Sequence, residues 1–535
     1  MPAEDIPVLD HKDDASDDEF ERDRQSFDML AWDRLDDHWD DTVSWLQYVS
    51  TLDMIATAVA KKAGVPKTSV DVLGRGSVGS FNAVYPLRME GESPNLLVRI
   101  PIPHVTQLPD ERYAAEAGTL RFIRQNTPMR TPNILYHGSQ CENPDVGPFM
   151  VIERIQNKWT LSEAFTRPRD PNDPDDPFML DMNLPKERLL KVYRQLAPLM
   201  MQLLQHRFPR IGSLTQSATG SFEIRTRPVT TNMQGMLAIA NIPLSALPAK
   251  NETYDTADAW YVACCDMIWA PLLLQRNDFV TSADDCRNKY VARQIIRRLA
   301  TEGKLATFGF EDDTWSEQSK KMKADREPLC PAPAGSGEAA FPLWCDDFQT
   351  GNMLVDDDDN VTGVIDWEFT YAAPAQFCLD PPWWLLIEMP EVWILGLENF
   401  SSRFSETLPV WLEAVEEVEK GVDLEVHHLS QPWSVYMRQS WETGRFWLNY
   451  AIRKGWAFDS IYWKFLDERF FGERPKDIAK EKYWRSRIDL LTEKERAGLE
   501  PFVEKKMKES EERILVDNWD DDEVRRRFAD VMLND

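Results

Sequence analysis

The segment LWCDDFQTGNMLVDDDDNVTGVIDWE, residues 343–368, gathers the residues best suited to do chemistry. Asp347 lies five positions before Asn352, and Asp366 follows across a hairpin whose turn is Asp356–Asn360. Phosphoryl transfer needs a carboxylate to orient the acceptor hydroxyl and take its proton, and oxygen ligands to hold Mg²⁺ against nucleotide phosphates. A hairpin with apolar strands on both sides of an acidic turn returns Asp366 to the level of Asn352, so two metal ligands and a base converge. A lone D-x-x-x-x-N occurs by chance. An apolar strand, an acidic turn and a second strand ending in Ile-Asp-Trp-Glu make it specific.

Upstream, LGRGSVGSFNAVYPL holds Gly74, Gly76 and Gly79 between two β-like runs. Glycines there let backbone amides come close to phosphate oxygens. The spacing is G-x-G-x-x-G, but in a strand–turn–strand setting. A dinucleotide fold needs strand–turn–helix, so it is the poorer reading.

Together these segments resemble the aminoglycoside phosphotransferase and choline kinase branch of protein-kinase-like enzymes. That family's loop reads H-G-D-x-x-x-x-N-x-L, followed by G-V-I-D-W/F-E/D. The match here runs Cys345-Asp346-Asp347 to Asn352, then Gly363-Val364-Ile365-Asp366-Trp367-Glu368. Long sequences with L-W-C-D-D-F and P-P-W-W-L-L look like its fungal branch. The resemblance implies Asp347 as catalytic base, Asn352 and Asp366 as Mg²⁺ ligands, and ATP or GTP as phosphoryl donor. The implied acceptor is a hydroxyl of a small molecule whose identity the sequence leaves open. Protein kinases use Lys on the third strand of the small sheet to hold the phosphates; NLLVRIPI offers Arg99 there, which forks onto phosphate oxygens. Glu116 on the following helix is its natural partner and Glu111 the fallback. Main-chain groups near Glu153 and Ile155 would meet the adenine edge. Cys345 and Asp346 replace the usual His-Gly. Asp346 competes with Asp347 for the base role, and the interval to Asn352 favours Asp347. Cys345 reads as a buried structural thiol. These departures, with Arg99, keep a nucleotide-binding pseudokinase or scaffold as one alternative. A protein kinase-like enzyme is the other, disfavoured because no A-P-E-like segment follows Asp366.

The elements that must position these groups read as an α/β, bilobal, protein-kinase-like fold. A small antiparallel β lobe over residues 40–155 has one crossing helix, near Arg112–Gln125. A larger, mainly helical lobe covers 156–500, with an insertion at 212–340. Leu52, Ile55, Ala56 and Val59 share one face of a helix that Gly64 stops. Leu189, Val192, Leu196, Met200 and Leu203 mark another. Residues 1–25 read as a disordered acidic leader and 501–535 as a charged, solvated helical tail. Trp383, Trp384 and Trp393 read as core aromatics, with an acceptor wall as the other possibility. Asp380 is expected to brace the catalytic loop, as an Asp at a comparable place does in the family.

Composition bounds the rest. Hydrophobic residues make up 43% and charged residues 28% of 535, with 20 Trp and 25 Phe to fill cores. Ninety acidic against 61 basic residues give a net charge of −29, which disfavours nucleic acid and anionic membrane surfaces as partners. No run approaches 18 uninterrupted apolar residues, so no membrane span is predicted. The seven Cys lack both a CxxC pair and a framework spacing, which argues against disulfides and structural zinc and, with no secretory signal, predicts a cytoplasmic protein. Nothing in the sequence fixes the oligomeric state.

Overall fold

The computed structural model describes residues 28–92, 95–173, 176–324 and 328–532. The acidic leader expected over 1–25 lies outside them.

The architecture is a small antiparallel sheet crossed by one helix, followed by a larger and mainly helical part, as the sequence predicts. The small sheet comprises β1 (Val70–Val72), β2 (Ser77–Val78), β3 (Asn82–Met89), β4 (Leu96–Pro101), β5 (Ile134–Gly138) and β6 (Phe149–Glu153). Its order is β1-β3-β4-β6-β5, with β2 folded back on β3 as the glycine hairpin. Every pairing is antiparallel, and Arg99 stands opposite Val84 on one side and Met150 on the other. One face buries Tyr85, Val98, Ile100 and Val151 against Ile55, Ala56 and Val59 of the helix Val49–Ala63. Gly64 ends that helix at φ 72°, a conformation that costs a side-chain-bearing residue more than glycine. The crossing helix, Pro109–Asn126, buries Tyr113, Ala117 and Leu120 in the core of the larger part.

That core is built on the helix Lys186–Gln205, which packs Leu189, Val192 and Leu196 beside the helix Gly396–Glu419. The insertion contributes the helices Thr231–Ala238, Ala257–Leu274, Ala283–Thr301 and Glu317–Ala324. Ala257–Leu274 is long and apolar enough by length and composition to cross a membrane, yet 67% of it is buried inside the protein. It is a core helix, and of the other insertion helices Ala283–Thr301 packs along it.

Two expectations need correction. The tail from residue 501 is no solvated helix. Pro501 sits inside the helix Glu493–Glu512, whose Val503, Lys506 and Glu509 are buried. Lys506 donates to the Gln275 carbonyl, and Arg527 from the next helix pairs with Glu509 at 2.7 Å. The alternating charges are thus partly consumed within the fold. The second correction is at the other end, where a helix begins at Met29, well before residue 40. Its first two turns are tied to the larger part: Asn277 donates to the N-cap Asp28 at 2.6 Å and Arg34 to Asn241 at 2.6 Å. At its other end Tyr85 of the small sheet donates its hydroxyl to the Leu46 carbonyl. At about 1.5 Å rise per residue the helix is ~27 Å long, enough to bridge the two parts.

Candidate active site

The strand Phe341–Cys345 pairs antiparallel with Thr370–Ala372, Cys345 opposite Thr370. The Asp346 amide donates to the Phe369 carbonyl at 3.1 Å, which fixes where the next residues leave the sheet. Cys345 is buried, and burial pushes its thiol well above the ordinary range; it is a packing residue. Asp346 is also buried, where it accepts from Trp344 Nε1 at 2.8 Å and faces Arg453 at 3.5 Å. Its carboxylate is enclosed in the interior. Asp347 instead lines an open cavity. Its Oδ1 accepts from Gln349 Nε2 at 2.8 Å and its Oδ2 from Asn352 Nδ2 at 3.1 Å, so the carboxylate is held at both oxygens.

The following hairpin pairs Met353 with Val364, and the Ile365 amide donates to the Asn352 carbonyl at 2.9 Å. Asp366 therefore emerges beside Asn352. Its φ is +60°, a left-handed conformation that costs a residue other than glycine ~1–3 kcal/mol and persists only where the surroundings impose it. Those surroundings include Gly363, where a Cβ would come within 2.7 Å of Ile155 Cδ1 and 2.9 Å of the Arg130 carbonyl. The hairpin is thereby seated against the connection that carries Ile155.

Arg99 joins the two parts of the site. It is ion-paired with Glu116 and donates through Nη1 to Asp366 Oδ1 at 3.1 Å. Glu111 is committed elsewhere, to Arg227 at 3.1 Å. Glu368 forms a fully buried pair with Arg112 at 2.6 Å and accepts from Asn82 Nδ2 at 3.2 Å. Arg112 in turn donates to Gln234 Oε1 at 2.9 Å, so a helix of the insertion is wired to the cleft. Ligand oxygens of Glu116, Asp366 and Glu368 all lie within 4.8 Å of one another.

That crowding sets the electrostatics. Burial, then the Glu368 charge, raises Asp366 above the usual carboxylate range, with Arg99 opposing. Burial, then the Asp366 charge, raises Asp347, with Lys454 opposing. Burial also works to raise Glu368, but Arg112 and Arg99 outweigh it and hold it low. Three carboxylates against two guanidiniums leave an excess of negative charge, which a divalent cation would offset. Hard oxygen donors suit Mg²⁺. Asn352 uses its amide hydrogens on Asp347, leaving Oδ1 as the ligand atom, and Asp366 has a second oxygen beyond the one facing Arg99. The residues present fit the ion.

The glycine hairpin turns at Gly79, whose amide donates to the Asn82 carbonyl at 2.9 Å. A Cβ on Gly76 would come within 2.5 Å of the Tyr85 ring, so only glycine fits there. The hairpin tip, Ser80 and Phe81, lines the same cavity as Asp347. Among the described residues no hydrogen bond or ion pair joins Gly74, Gly76, Gly79, Glu153 or Ile155 to the acidic groups. Glu153 is engaged through its amide with the Asn133 carbonyl at 2.9 Å, and Ile155 packs beside Gly363. Asp380 does not brace the loop. Its partners are Ser440, Arg445 and Asn449, on helices beyond it. Of the three tryptophans, Trp383 lines the cavity, whereas Trp384 packs on Trp411 and Trp393 on Phe400. Sequence reasoning missed Lys454, Gln234 and the tryptophans of the N-terminal helix. Only the apolar spacing of Trp32, Leu35 and Trp39 in MLAWDRLDDHW would have signalled the last.

Comparison of the sequence with protein-family models and with curated proteins returns no match. Among solved structures the chain is similar to the aminoglycoside phosphotransferase APH(4)-Ia in complex with AMP-PNP and hygromycin B. That match is 14% identical, covers 76% of this chain and 94% of that one, and has a TM-score of 0.35. A macrolide 2'-phosphotransferase type I matches at 11% identity over 79% and 96% of the two chains, TM-score 0.35. APH(3'')-Id from Streptomyces rimosus matches at 9% identity over 72% and 98%, TM-score 0.32. The fold described above rests on the strand order and contacts of this chain itself.

Proposed function

We propose that the protein is a phosphotransferase that moves the γ-phosphoryl group of a Mg²⁺-bound nucleotide, ATP or GTP, onto a hydroxyl of a small molecule. The observation that carries this reading is the pairing of two unlike carboxylates. Asp347 is fixed at both oxygens and open to a cavity, and Asp366 is held in a left-handed conformation beside Asn352 and the Arg99–Glu116 pair.

In this reading Asp347 orients the acceptor hydroxyl and takes its proton. The raised basicity that burial confers suits a carboxylate to that task near neutral pH. The acceptor oxygen forms the new bond to the γ-phosphorus as the bond to the bridging oxygen breaks, and the nucleoside diphosphate leaves. Asn352 Oδ1 and the Asp366 carboxylate would hold Mg²⁺, which when bound offsets charge on the phosphate oxygens. Arg99, steadied by Glu116, clamps the phosphates, and the amides around Gly74–Gly79 cover them. Catalysis here is mostly positioning and charge stabilisation, so fixed donors matter more than any reactive side chain.

The test is Mg²⁺-dependent consumption of ATP and GTP with a panel of alcohols, comparing the unaltered protein with Asp347→Asn and Asp366→Ala. Turnover lost in both variants, with thermal unfolding retained, is the expected result. Turnover unchanged in Asp366→Ala contradicts the assignment. A second reading, a nucleotide-binding protein without transfer, is favoured by one observation: Arg99 already engages the proposed metal ligand at 3.1 Å. Saturable Mg·nucleotide binding without phosphorylation of any alcohol would select it.

A further inference from the structure

The cavity that Asp347 faces has a volume of about 520 Å³, within the range of small-molecule sites. Three distant stretches of the chain wall it: the N-terminal helix, the tip of the glycine hairpin and the insertion helix Thr231–Ala238. Five aromatic side chains face it: Trp32, Trp39, Phe81, Trp383 and Trp456. Among the described residues that line it, the carboxylates are Asp347 and Asp36 and the cation is Lys454, which donates to Thr231 Oγ1 at 2.8 Å. The chain carries a net charge of −29, whereas this wall carries only two carboxylates against one ammonium. Binding a polycation takes several carboxylates around the ligand, and an ammonium beside the reacting group repels further positive charge. Aromatic faces reward flat, carbon-rich surface and tolerate a single cation.

Resting on the phosphotransferase reading, we propose that the acceptor bound beside Asp347 is an alcohol with a flat, carbon-rich body and at most one positive charge, stacked between the N-terminal helix and the insertion. Its hydroxyl points to Asp347, and its body lies against Trp39 and Trp456. Helix 29–46 is thus a specificity wall of the site, anchored to both parts of the molecule by Asp28, Arg34 and Leu46.

The experiment uses 1-pyrenemethanol, a neutral, flat and fluorescent alcohol, titrated into the full chain without nucleotide and read by energy transfer from tryptophan. Kanamycin serves as the polycation arm. Saturable binding is expected, weakened at least tenfold in Trp39→Ala and in Ala238→Trp, which fills the cavity from its rim, and kept within about threefold in Trp39→Phe. Kanamycin at a hundredfold excess should not displace the probe. Binding unaltered in both Trp39→Ala and Ala238→Trp, displacement by kanamycin, or no saturable binding overturns the proposal. Thermal unfolding of each variant separates lost binding from a lost fold. Because no nucleotide is present, the outcome is independent of phosphoryl transfer. A chain that binds the probe in this pattern and never phosphorylates an alcohol supports the ligand class and refutes the enzyme.

Discussion

Two buried carboxylate centres, one in the cleft and one among the C-terminal helices, solve the same problem differently. Asp380 is almost wholly enclosed, and each of its oxygens is met: Ser440 Oγ at 2.6 Å and Arg445 Nε at 3.4 Å on one, Asn449 Nδ2 at 2.8 Å on the other. Arg445 continues into the Tyr436 carbonyl at 2.7 Å and stacks 3.9 Å from the Phe310 ring. Everything there is satisfied, and Asp380 itself sits on ordinary backbone. In the cleft, Asp366 adopts a left-handed backbone, shares its arginine with Glu116 and stands within reach of two more carboxylates. A fold builds the first arrangement to hold itself together. The second is kept at a cost to stability, and such costs are characteristic of sites that act on something else.

The sharpest way to break this comparison is to remove each acid in turn. Asp366→Ala should lower Mg²⁺-dependent turnover by at least ~10³-fold, equivalent to about 4 kcal/mol. Its midpoint of thermal unfolding should change little: the left-handed backbone remains, but Arg99 keeps Glu116 and one of three crowded, buried carboxylates is gone. Asp380→Ala should do the reverse: about 3 kcal/mol of stability lost, since Arg445 is left buried without its carboxylate, with turnover per folded molecule unchanged. If calorimetry and turnover assays give both variants the same pattern, the distinction is wrong.

pH offers a reading of the helical region alone. Burial lowers Lys506 from its ordinary value to about 8. Its folded value lies below its unfolded one, so the cost of burying the ammonium is present in full below pH 8 and is relieved as the pH rises through 8 toward the unfolded value. The unaltered protein should therefore gain stability relative to Lys506→Met over that window, on the order of 2 kcal/mol, as read from denaturant midpoints, while turnover in the two stays equal. The smallest effect is expected at Arg99→Lys. An ammonium keeps the charge but loses the fork between Glu116 and Asp366, so KM for the nucleotide should rise about tenfold with kcat less changed.

How much of this was legible in the sequence depended on how local each arrangement is. Asp347, Asn352 and Asp366 lie within one hairpin, so interval and strand pattern bring them together without knowledge of the rest. Arg99 and Glu116 are a strand and the next helix apart, and they too could be paired in advance. Trp39 and Trp456 come from opposite ends of the chain, and no periodicity relates them. Asp380 was expected at the loop because the family resemblance implies an Asp there, yet its partners are 60 to 69 residues away. The tail misled for a different reason. Alternating Lys and Glu look solvated when each charge is counted alone, but Lys506, Glu509 and Arg527 neutralise one another inside the fold. Fold class followed from patterning; the cavity wall depended on long-range closure that patterning does not encode.

The bond from Asn277 to Asp28 sets a practical limit on shortening the chain. A chain shortened to begin at Asp28 keeps every described residue that lines the cavity. A cut a few residues later deletes the N-cap that starts the helix and its first tie to the larger part, and with them the footing of Trp32. A shortened protein beginning near residue 48, ahead of the helix Val49–Ala63, would keep Asp347 and Asp366 and still lack one side of the cavity.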